Sequence, residues 1–281
     1  MIRTISTDEI TKAVRELCIE TNYGLTEDMR QALLDAVNSE ESETGRKILG
    51  QLQENLTIAA AEQIPICQDT GMAVVFLEIG QDVHIEGTNL EEAVNEGVRQ
   101  GYRDGYLRKS VVRDPILREN TKDNTPAVLH TRIVPGDALR IKVAPKGFGS
   151  ENMSRIFMLK PADGIEGVKE AVLTAVRDAG PNACPPMVVG VGIGGTFEKC
   201  ALLAKEALTR EVGSHSEIPY VRELEEELLE KINRLGIGPG GLGGKNTALA
   251  VLINTYPTHI AGLPVAVNIC CHVNRHGIRT L

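Results

Sequence analysis

Three cysteines stand in loop-like sequence where their thiols could bind a metal. Cys67 is followed by a Gln–Asp pair, Cys184 by two prolines and Cys271 by a histidine. Loops between apolar elements often carry functional side chains, and cysteine thiolates bind zinc and iron–sulfur clusters. The sequence contains no C-x-x-C pair, so its spacing matches neither a compact zinc site nor a ferredoxin-type cluster. The residues alone therefore leave open metal binding, catalysis or simple burial.

The other three cysteines have weaker claims to a function. Cys18 falls on the apolar face of one predicted helix and Cys200 lies within another, so both are predicted to be small buried hydrophobes. Cys270 directly precedes Cys271, and neighbouring residues of a strand face opposite sides, so only one of the pair should reach a shared site. Six cysteines in 281 residues are too sparse for a disulfide framework.

Two glycine-rich segments resemble nucleotide-binding motifs. Residues 190–195 satisfy G-x-G-x-x-G between a predicted strand and helix, which makes a dinucleotide-dependent oxidoreductase the alternative outside the metal-enzyme class. However, residues 211–216, where a second strand should end in an acidic residue, show no apolar strand pattern. Residues 239–246 resemble a phosphate loop but carry Pro239 for the first glycine and Asn246 for the Mg²⁺-binding Ser or Thr. We therefore expect tight backbone packing, or anion binding by N–H groups, in both segments.

The elements that position these residues begin with helices. Residues 1–64 are predicted to be mainly helical, with a first helix that Ser6 or Thr7 caps and that ends near Gly24. Residues 65–281 mix predicted helices and strands. The predicted fold class is mixed α/β, an N-terminal helical segment followed by mixed α and β layers, in one large domain over 1–281 that could comprise two lobes.

Two local patterns in the second region lead to specific predictions. Residues 127–134 and 138–144 are predicted to form a hairpin around a Pro-Gly-Asp turn. The acidic run 225–227 is predicted to lie on the solvated face of an amphipathic helix.

Composition excludes several classes of function. A net charge of −8 argues against a nucleic-acid surface, and no stretch approaches the roughly 20 apolar residues that cross a bilayer. With no Trp and 3% aromatic residues, the core must be aliphatic. No apolar run at the N-terminus could serve as a signal peptide, so we expect a cytoplasmic protein without nucleic-acid or membrane partners.

Several polar and glycine-containing motifs follow one another in order across most of the chain. They are Ile64-Pro65-Ile66-Cys67-Gln68-Asp69-Thr70-Gly71, Leu107-Arg108-Lys109-Ser110, Asn120-Thr121-Lys122-Asp123-Asn124-Thr125-Pro126, Lys146-Gly147-Phe148-Gly149-Ser150-Glu151-Asn152, Cys184-Pro185-Pro186 and the stretch from His259 to Cys271. Together these motifs resemble the class I, iron–sulfur-dependent fumarases and the related tartrate dehydratase α subunit. The resemblance covers the α half of that family.

The resemblance implies a [4Fe–4S] cluster held by Cys67, Cys184 and Cys271. Three thiolates leave one iron that the protein does not ligate, and this iron would act as a Lewis acid on the substrate. We choose Cys271 over Cys270 because the segment from Cys271 to His276 better resembles the family's Cys-Trp-Ala-x-Arg-Arg, although it departs from that pattern at His272 and His276.

The resemblance also implies the polar residues of the site. Arg108 resembles a clamp for a substrate carboxylate, which suits a planar guanidinium. Gln68 and Gly149 are matched to substrate binding, and Asp69 and His259 to catalysis. The alternative for His259 is a histidine buried with its hydrogen bonds satisfied.

The general base lies outside the motifs of this chain. In single-chain members of the family it belongs to a C-terminal domain, so we expect a separately encoded β subunit of about 200 residues in a hetero-oligomer. The implied reaction is interconversion of fumarate and (S)-malate, both small dicarboxylates. A tartrate or methyl-substituted fumarate dehydratase is the alternative within the class, and a structural zinc protein is a further alternative that would lack iron–sulfur absorbance.

Overall fold

The computed structural model describes residues 2–281 and has the predicted mixed α/β class. The chain divides into two compact units. Unit 1 comprises the described part of Met1–Thr26 together with Leu56–Phe148 and Arg275–Leu281, and unit 2 comprises Glu27–Asn55 and Gly149–Asn274. The chain therefore crosses from one unit to the other more than once.

Helices and strands alternate along most of the described chain. In chain order they are β1 (Arg3–Ser6), α1 (Thr7–Tyr23), α2 (Glu27–Ser39), α3 (Glu43–Glu62), β2 (Met72–Gly80), β3 (Val83–Glu86), α4 (Leu90–Asp104), β4 (Val128–Val134), β5 (Leu139–Lys146), α5 (Phe148–Glu151), β6 (Arg155–Leu159), α6 (Gly164–Ala179), β7 (Met187–Gly194), α7 (Phe197–Ala207), α8 (Pro219–Asn233), β8 (Ala248–Tyr256), β9 (Leu263–Cys270) and β10 (Gly277–Thr280).

The N-terminal helices form where the sequence predicts them. Ser6 and Glu9 make a capping box at the start of α1, in which each side chain satisfies a backbone N–H of the first turn, and Gly24 follows the last turn. The unpredicted element is β1, which pairs in parallel with β3. Residues 3–6 alone are too short and too polar to show a strand pattern, so their partner decides their conformation.

Unit 1 is built on a four-stranded sheet of order β10-β5-β2-β4. The predicted hairpin is wrong, because β4 and β5 do not pair with each other. Both pair with β2, β4 in parallel and β5 antiparallel. Since β2 carries a nearly continuous buried run, it takes the centre of the sheet, whereas β4 is largely exposed and lies at the edge. Helix α1 packs on α4 and β5 over an aliphatic core.

Unit 2 is built on a second four-stranded sheet of order β6-β9-β7-β8. Helices α6 and α8 contribute to its main core together with alternate residues of β7, β8 and β9. Helix α7 contacts β7, β8 and β9 through a separate small cluster of Cys200, Ala204 and Ala266. The central strands are therefore buried on both faces, which explains their continuous apolar sequence.

The glycines of the apparent dinucleotide motif serve this packing. Gly190 and Gly192 lie inside β7, where both are paired with β8 and β9, and not in a loop after the strand. A Cβ at Gly190 would stand 2.3 Å from the carbonyl oxygen of Ala204, and one at Gly192 would stand 2.0 Å from that of Cys200. The glycines thus let α7 approach the sheet closely, and this stretch of strand does not provide the phosphate-binding turn of a dinucleotide site.

The acidic run on α8 differs from its predicted solvated state at one position. Glu225 is 2% exposed, and its carboxylate accepts hydrogen bonds from Arg210 Nη1, Ser216 N and Ile253 N. Glu226 is exposed and Glu227 is partly exposed, as predicted for a solvated face. Within residues 2–281, no helix combines the length and apolar character needed to span a membrane.

Candidate functional site

The six cysteines fall into two groups by exposure. Cys18, Cys200 and Cys270 are buried, whereas the three predicted ligands are accessible to different extents. Cys67 and Cys271 are partly buried and Cys184 is exposed. Burial raises the pKa of Cys18 to about 12 and also raises that of Cys200, which disfavours a thiolate at either position. The accessible thiols are therefore the three that the resemblance selected.

The Cys67 loop, residues 67–71, is anchored by buried hydrogen bonds in unit 1. The backbone N–H just before Cys67 donates to the carbonyl of Asn22 over 2.9 Å. At the other end, the hydroxyl of Tyr102 donates to the carbonyls of Thr70 and Gly71, over 2.7 and 3.0 Å. Tyr102 is fully buried, so these bonds are shielded from water. Both ends of the loop are held while the side chain of Cys67 stays partly exposed.

Asn124 ties the Cys67 loop to the segment that carries Arg108. Its amide nitrogen donates to Gly71 O over 3.1 Å, and its amide oxygen accepts from Ser110 N over 2.7 Å. The hydroxyl of Thr70 also donates to Arg108 O over 3.0 Å. The side chain of Arg108 is exposed. The structure therefore places Arg108, the predicted carboxylate clamp, beside the Cys67 loop.

The carboxylate of Asp69 is oriented by backbone N–H groups. Its Oδ1 accepts from Gly71 N over 3.0 Å and its Oδ2 accepts from Phe148 N over 2.8 Å. The backbone N–H of Asp69 itself points at Cys67 Sγ, 3.4 Å away. Gln68 lies between these two residues with an exposed side chain, and Cys67 Sγ contacts its Oε1 at 3.3 Å. Cys67, Gln68 and Asp69 thus form one continuous polar surface.

Arg275 supplies a buried positive charge under this loop. The side chain is 4% exposed, and its Nη2 donates to the carbonyl oxygen of Asp69 over 2.5 Å. Its Nε and Nη1 are buried and have no hydrogen-bond partner among the described residues. A buried cation without an anion is costly, so this position suits a negatively charged group at the Cys67 loop.

In unit 2, the segments of Cys184 and Cys271 adjoin. Cys184 has a left-handed backbone conformation with φ +50°, which turns the chain into the Pro185-Pro186 pair. The ring Nδ1 of His272 donates to Cys184 O over 3.0 Å. Cys270 is the last residue of β9 and pairs with β7, so Cys271 is the first residue beyond the strand. The structure therefore brings two predicted ligands to one end of this sheet.

The loop of residues 236–246, here the Gly-rich loop, binds an anion that the chain itself provides. The carboxylate of Glu40 accepts from Lys245 N, Asn246 N and Asn246 Nδ2, each over 2.9 Å, and from Glu41 N and Ser42 N over 3.0 Å. Burial alone would raise the pKa of Glu40, but these hydrogen bonds outweigh it and lower the pKa to about 2. The N–H groups that could have met a phosphate are thus occupied by a carboxylate.

The Gly-rich loop also contacts the segment of Cys184. Gly240 N donates to Pro185 O over 2.8 Å, in the residue that follows Cys184. Gly241 has φ +75°, and a Cβ there would stand 2.3 Å from the Cβ of Pro181. Glycine is therefore needed at Gly241 both for its backbone conformation and for this close approach. Hydrogen bonds of this loop thus connect Glu40 to the residue after Cys184.

The remaining predicted site residues lie in separate segments. Gly149 is exposed within α5, and His259 is exposed in the turn between β8 and β9. The turn of His259 is internally hydrogen-bonded, with Ala261 N donating to its Nδ1 and Gly262 N to its carbonyl. The exposed ring excludes the alternative of a buried core histidine.

The predicted ligands are distributed over both units. Cys67 belongs to unit 1, whereas Cys184 and Cys271 belong to unit 2. Among residues 2–281, no group of three or more His, Cys, Asp and Glu side chains is gathered as a metal site. Three accessible thiols and an unpaired buried cation nevertheless fit the donor set and the charge of a thiolate-bound cluster.

Sequence reasoning missed the side chains that hold the loops. Asn124 lies inside a quoted motif, and Arg275 stands four residues after Cys271, so motif membership could have pointed to both. Tyr102 and Glu40 carried no such signal. Their partners lie far away in the sequence, and only folding reveals them.

Comparisons with known proteins agree over nearly the whole chain. A family model described as fumarate hydratase (Fumerase) matches residues 11–280. A protein of Methanocaldococcus jannaschii with the provisional name L(+)-tartrate dehydratase subunit alpha is 43% identical over 279 residues, which cover 97% of this chain and 98% of the relative. The L(+)-tartrate dehydratase subunit alpha of Escherichia coli is 31% identical over 273 residues, which cover 96% of this chain and 90% of the relative.

Proposed function

Since the chain belongs to the fumarate hydratase (Fumerase) family of hydro-lyases, we propose that it is the α subunit of an L(+)-tartrate dehydratase. The observation that carries the proposal is the name shared by its relatives, one of them 43% identical over nearly the full length of both chains. This favours the tartrate alternative over the fumarate reaction that the motifs first implied. Loss of water from tartrate leaves an enol that tautomerises to a 2-oxo dicarboxylate.

The residues of the Cys67 loop are arranged to bind and orient such a dicarboxylate. Arg108 offers an exposed guanidinium beside the loop, which can bind a carboxylate through two parallel hydrogen bonds. Gln68 is also exposed, within the loop itself, and can donate to a hydroxyl. Asp69 is held by two backbone N–H groups, so its carboxylate keeps one orientation when substrate binds.

We assign the cofactor as a [4Fe–4S] cluster held by Cys67, Cys184 and Cys271. When bound, it would supply an open iron that polarises the hydroxyl to be lost. The support from this chain is the accessibility of these three thiols and the burial of the other three. Gly149 and His259 are assigned to substrate binding and catalysis by the same resemblance, and both are exposed to solvent in the structure.

A fumarate hydratase α subunit is the second candidate. The family model that matches residues 11–280 is described by that activity. Fumarate and tartrate share the two carboxylates that Arg108 and its neighbours would bind, and they differ in the two hydroxyl groups. Discrimination between them therefore depends on groups that hydrogen-bond those hydroxyls.

We further propose a separately encoded β subunit as partner. The relatives are named alpha subunits, which supports a second chain in the assembly. That partner would carry the general base, and activity would require both chains.

The test is co-expression with the neighbouring smaller open reading frame, followed by anaerobic assay. We expect kcat/KM for L(+)-tartrate to exceed that for fumarate and malate by at least about 100-fold, as for sites built to hydrogen-bond a substrate hydroxyl. Faster turnover of fumarate would establish the second candidate instead. Full activity of this chain without its partner would contradict the proposed β subunit, and activity without iron would contradict the cofactor.

A further inference from the structure

Arg275 is a buried cation whose charge is not balanced by any carboxylate that contacts it. Its one hydrogen bond goes to a main-chain oxygen, that of Asp69, and its Nε and Nη1 have no partner among the described residues. Burying an unpaired guanidinium is expensive because arginine does not lose its proton in proteins. A role in folding alone would not explain this arrangement, since a neutral donor could satisfy the same carbonyl.

The carboxylate of Asp69, the residue whose carbonyl Arg275 binds, is already engaged elsewhere. Asp69 binds Arg275 through its carbonyl, whereas both carboxylate oxygens accept from the backbone N–H groups of Gly71 and Phe148. By contrast, Arg279 in the same C-terminal segment is partly exposed and pairs with Glu16 and Glu20. Within residues 2–281, a partly exposed arginine thus has carboxylate partners and a buried one four residues away has none.

Chain connectivity links Arg275 to one predicted ligand, and hydrogen bonds link it to a second. It follows Cys271 by four residues, and it binds the carbonyl of Asp69, whose own N–H points at Cys67 Sγ. When thiols bind iron they lose their protons, so the site gains negative charge only when it is loaded. The charge of Arg275, which has no carboxylate in contact with it in the metal-free chain, would therefore be balanced when the site is loaded.

We propose that Arg275 is a positioning residue for an anionic iron–sulfur cluster at the Cys67 loop. It holds the loop through the Asp69 carbonyl, and its charge offsets that of the thiolate-bound cluster. This inference rests on the proposed cofactor. It has a consequence that a purely structural role lacks: removal of the charge weakens the loaded chain but spares the metal-free chain, because there the charge has no anion.

The experiment compares Arg275→Gln and Arg275→Lys with Arg279→Gln as matched control. Glutamine keeps a polar amide but removes the charge, whereas lysine keeps the charge. Each full-length chain is reconstituted anaerobically with iron and sulfide, and iron loss to a chelator is followed by absorbance. Thermal unfolding of the metal-free chains is measured alongside, with and without added L(+)-tartrate.

We expect Arg275→Gln to lose iron about 10- to 100-fold more readily than the unaltered chain, as for other residues that support metal ligands. Its metal-free melting temperature should equal or exceed that of the unaltered chain. Arg275→Lys should retain iron better than Arg275→Gln, and Arg279→Gln should retain it normally.

Four results would overturn the proposal. If Arg275→Gln retains iron as well as the unaltered chain does, the charge has no role in holding the cluster, although the proposed cofactor still stands. A lower melting temperature of metal-free Arg275→Gln would show that the residue serves the fold. If tartrate stabilises the unaltered metal-free chain but not Arg275→Gln, the anion that Arg275 binds is a substrate carboxylate. If the unaltered chain takes up no cluster, the proposed cofactor fails and this inference fails with it.

Discussion

The Cys67 loop and the Gly-rich loop each depend on a buried charged side chain, but the two charges have opposite surroundings. Glu40 accepts five hydrogen bonds and holds the Gly-rich loop. Arg275 donates one, and two of its nitrogens have no partner in the part of the chain that the structure describes. A satisfied buried charge contributes stability, while an unsatisfied one indicates a missing counter-charge. The Gly-rich loop is therefore held by a carboxylate of the chain itself, whereas the proposed anion at the Cys67 loop is inferred from the unpaired charge of Arg275.

The largest expected effect comes from the cysteines of the two regions. Separate replacement of Cys67, Cys184 and Cys271 by serine should each lower kcat/KM by at least about 100-fold, because a lost metal ligand costs more than a lost supporting residue. Iron content and visible absorbance of the reconstituted complex check the cause. Cys270→Ser is the control, since Cys270 is buried in β9. Retention of the full absorbance by Cys271→Ser, with loss in Cys270→Ser, would reverse our choice of third ligand.

Neutralising Glu40 should have the largest effect on stability. Glu40→Gln replaces an oxygen acceptor with an amide donor that faces backbone N–H groups, so we expect a loss of about 3 kcal/mol in the free energy of unfolding. Urea unfolding of the metal-free chain measures it. Glu41→Gln is the matched control, because the neighbouring side chain is 82% exposed and should change stability by less than about 0.5 kcal/mol. Equal stability of the two variants would mean that Glu40 does not hold the Gly-rich loop.

The same carboxylate should make stability depend on pH. Its pKa is about 2 in the folded chain against an ordinary value of 4.5, so its contribution is complete above pH 4.5 and is lost as pH falls towards 2. The difference in pKa corresponds to a stabilisation of about 3 kcal/mol. Unfolding measured at several pH values should show a slope below pH 4.5 that is smaller in Glu40→Gln. Parallel pH profiles for both proteins would contradict this assignment.

The smallest expected effect concerns the anchor of the Cys67 loop. Tyr102→Phe removes the hydroxyl that donates to Thr70 O and Gly71 O, and we expect a loss of about 1 to 2 kcal/mol in unfolding free energy. Chemical unfolding gives the value, and iron retention shows whether the loop still binds metal. Tyr23→Phe is a control on the same unit, because its hydroxyl donates to Gly105 O outside the loop. A larger loss in Tyr23→Phe would show that the Cys67 loop does not depend on Tyr102.

Local patterns predicted the individual elements well but not their partners. The cap of α1 and the helices α7 and α8 were all visible in the sequence, because each depends on neighbouring residues. The predicted hairpin failed because β2, which comes much earlier in the chain, inserts between β4 and β5. Pairing of distant strands follows burial in the whole sheet, which a local turn signal does not record.

The sequence by itself determined the family, the α/β class and the three candidate cysteines, since these depend on ordered motifs and short-range periodicity. Tertiary structure decided which charged residues are buried and what they meet. The bonds of Glu40 to Asn246 and of Arg275 to Asp69 each join residues 206 positions apart. The sequence specifies the type of each side chain, but the solvation of a charged group depends on the atoms around it, which only folding brings together.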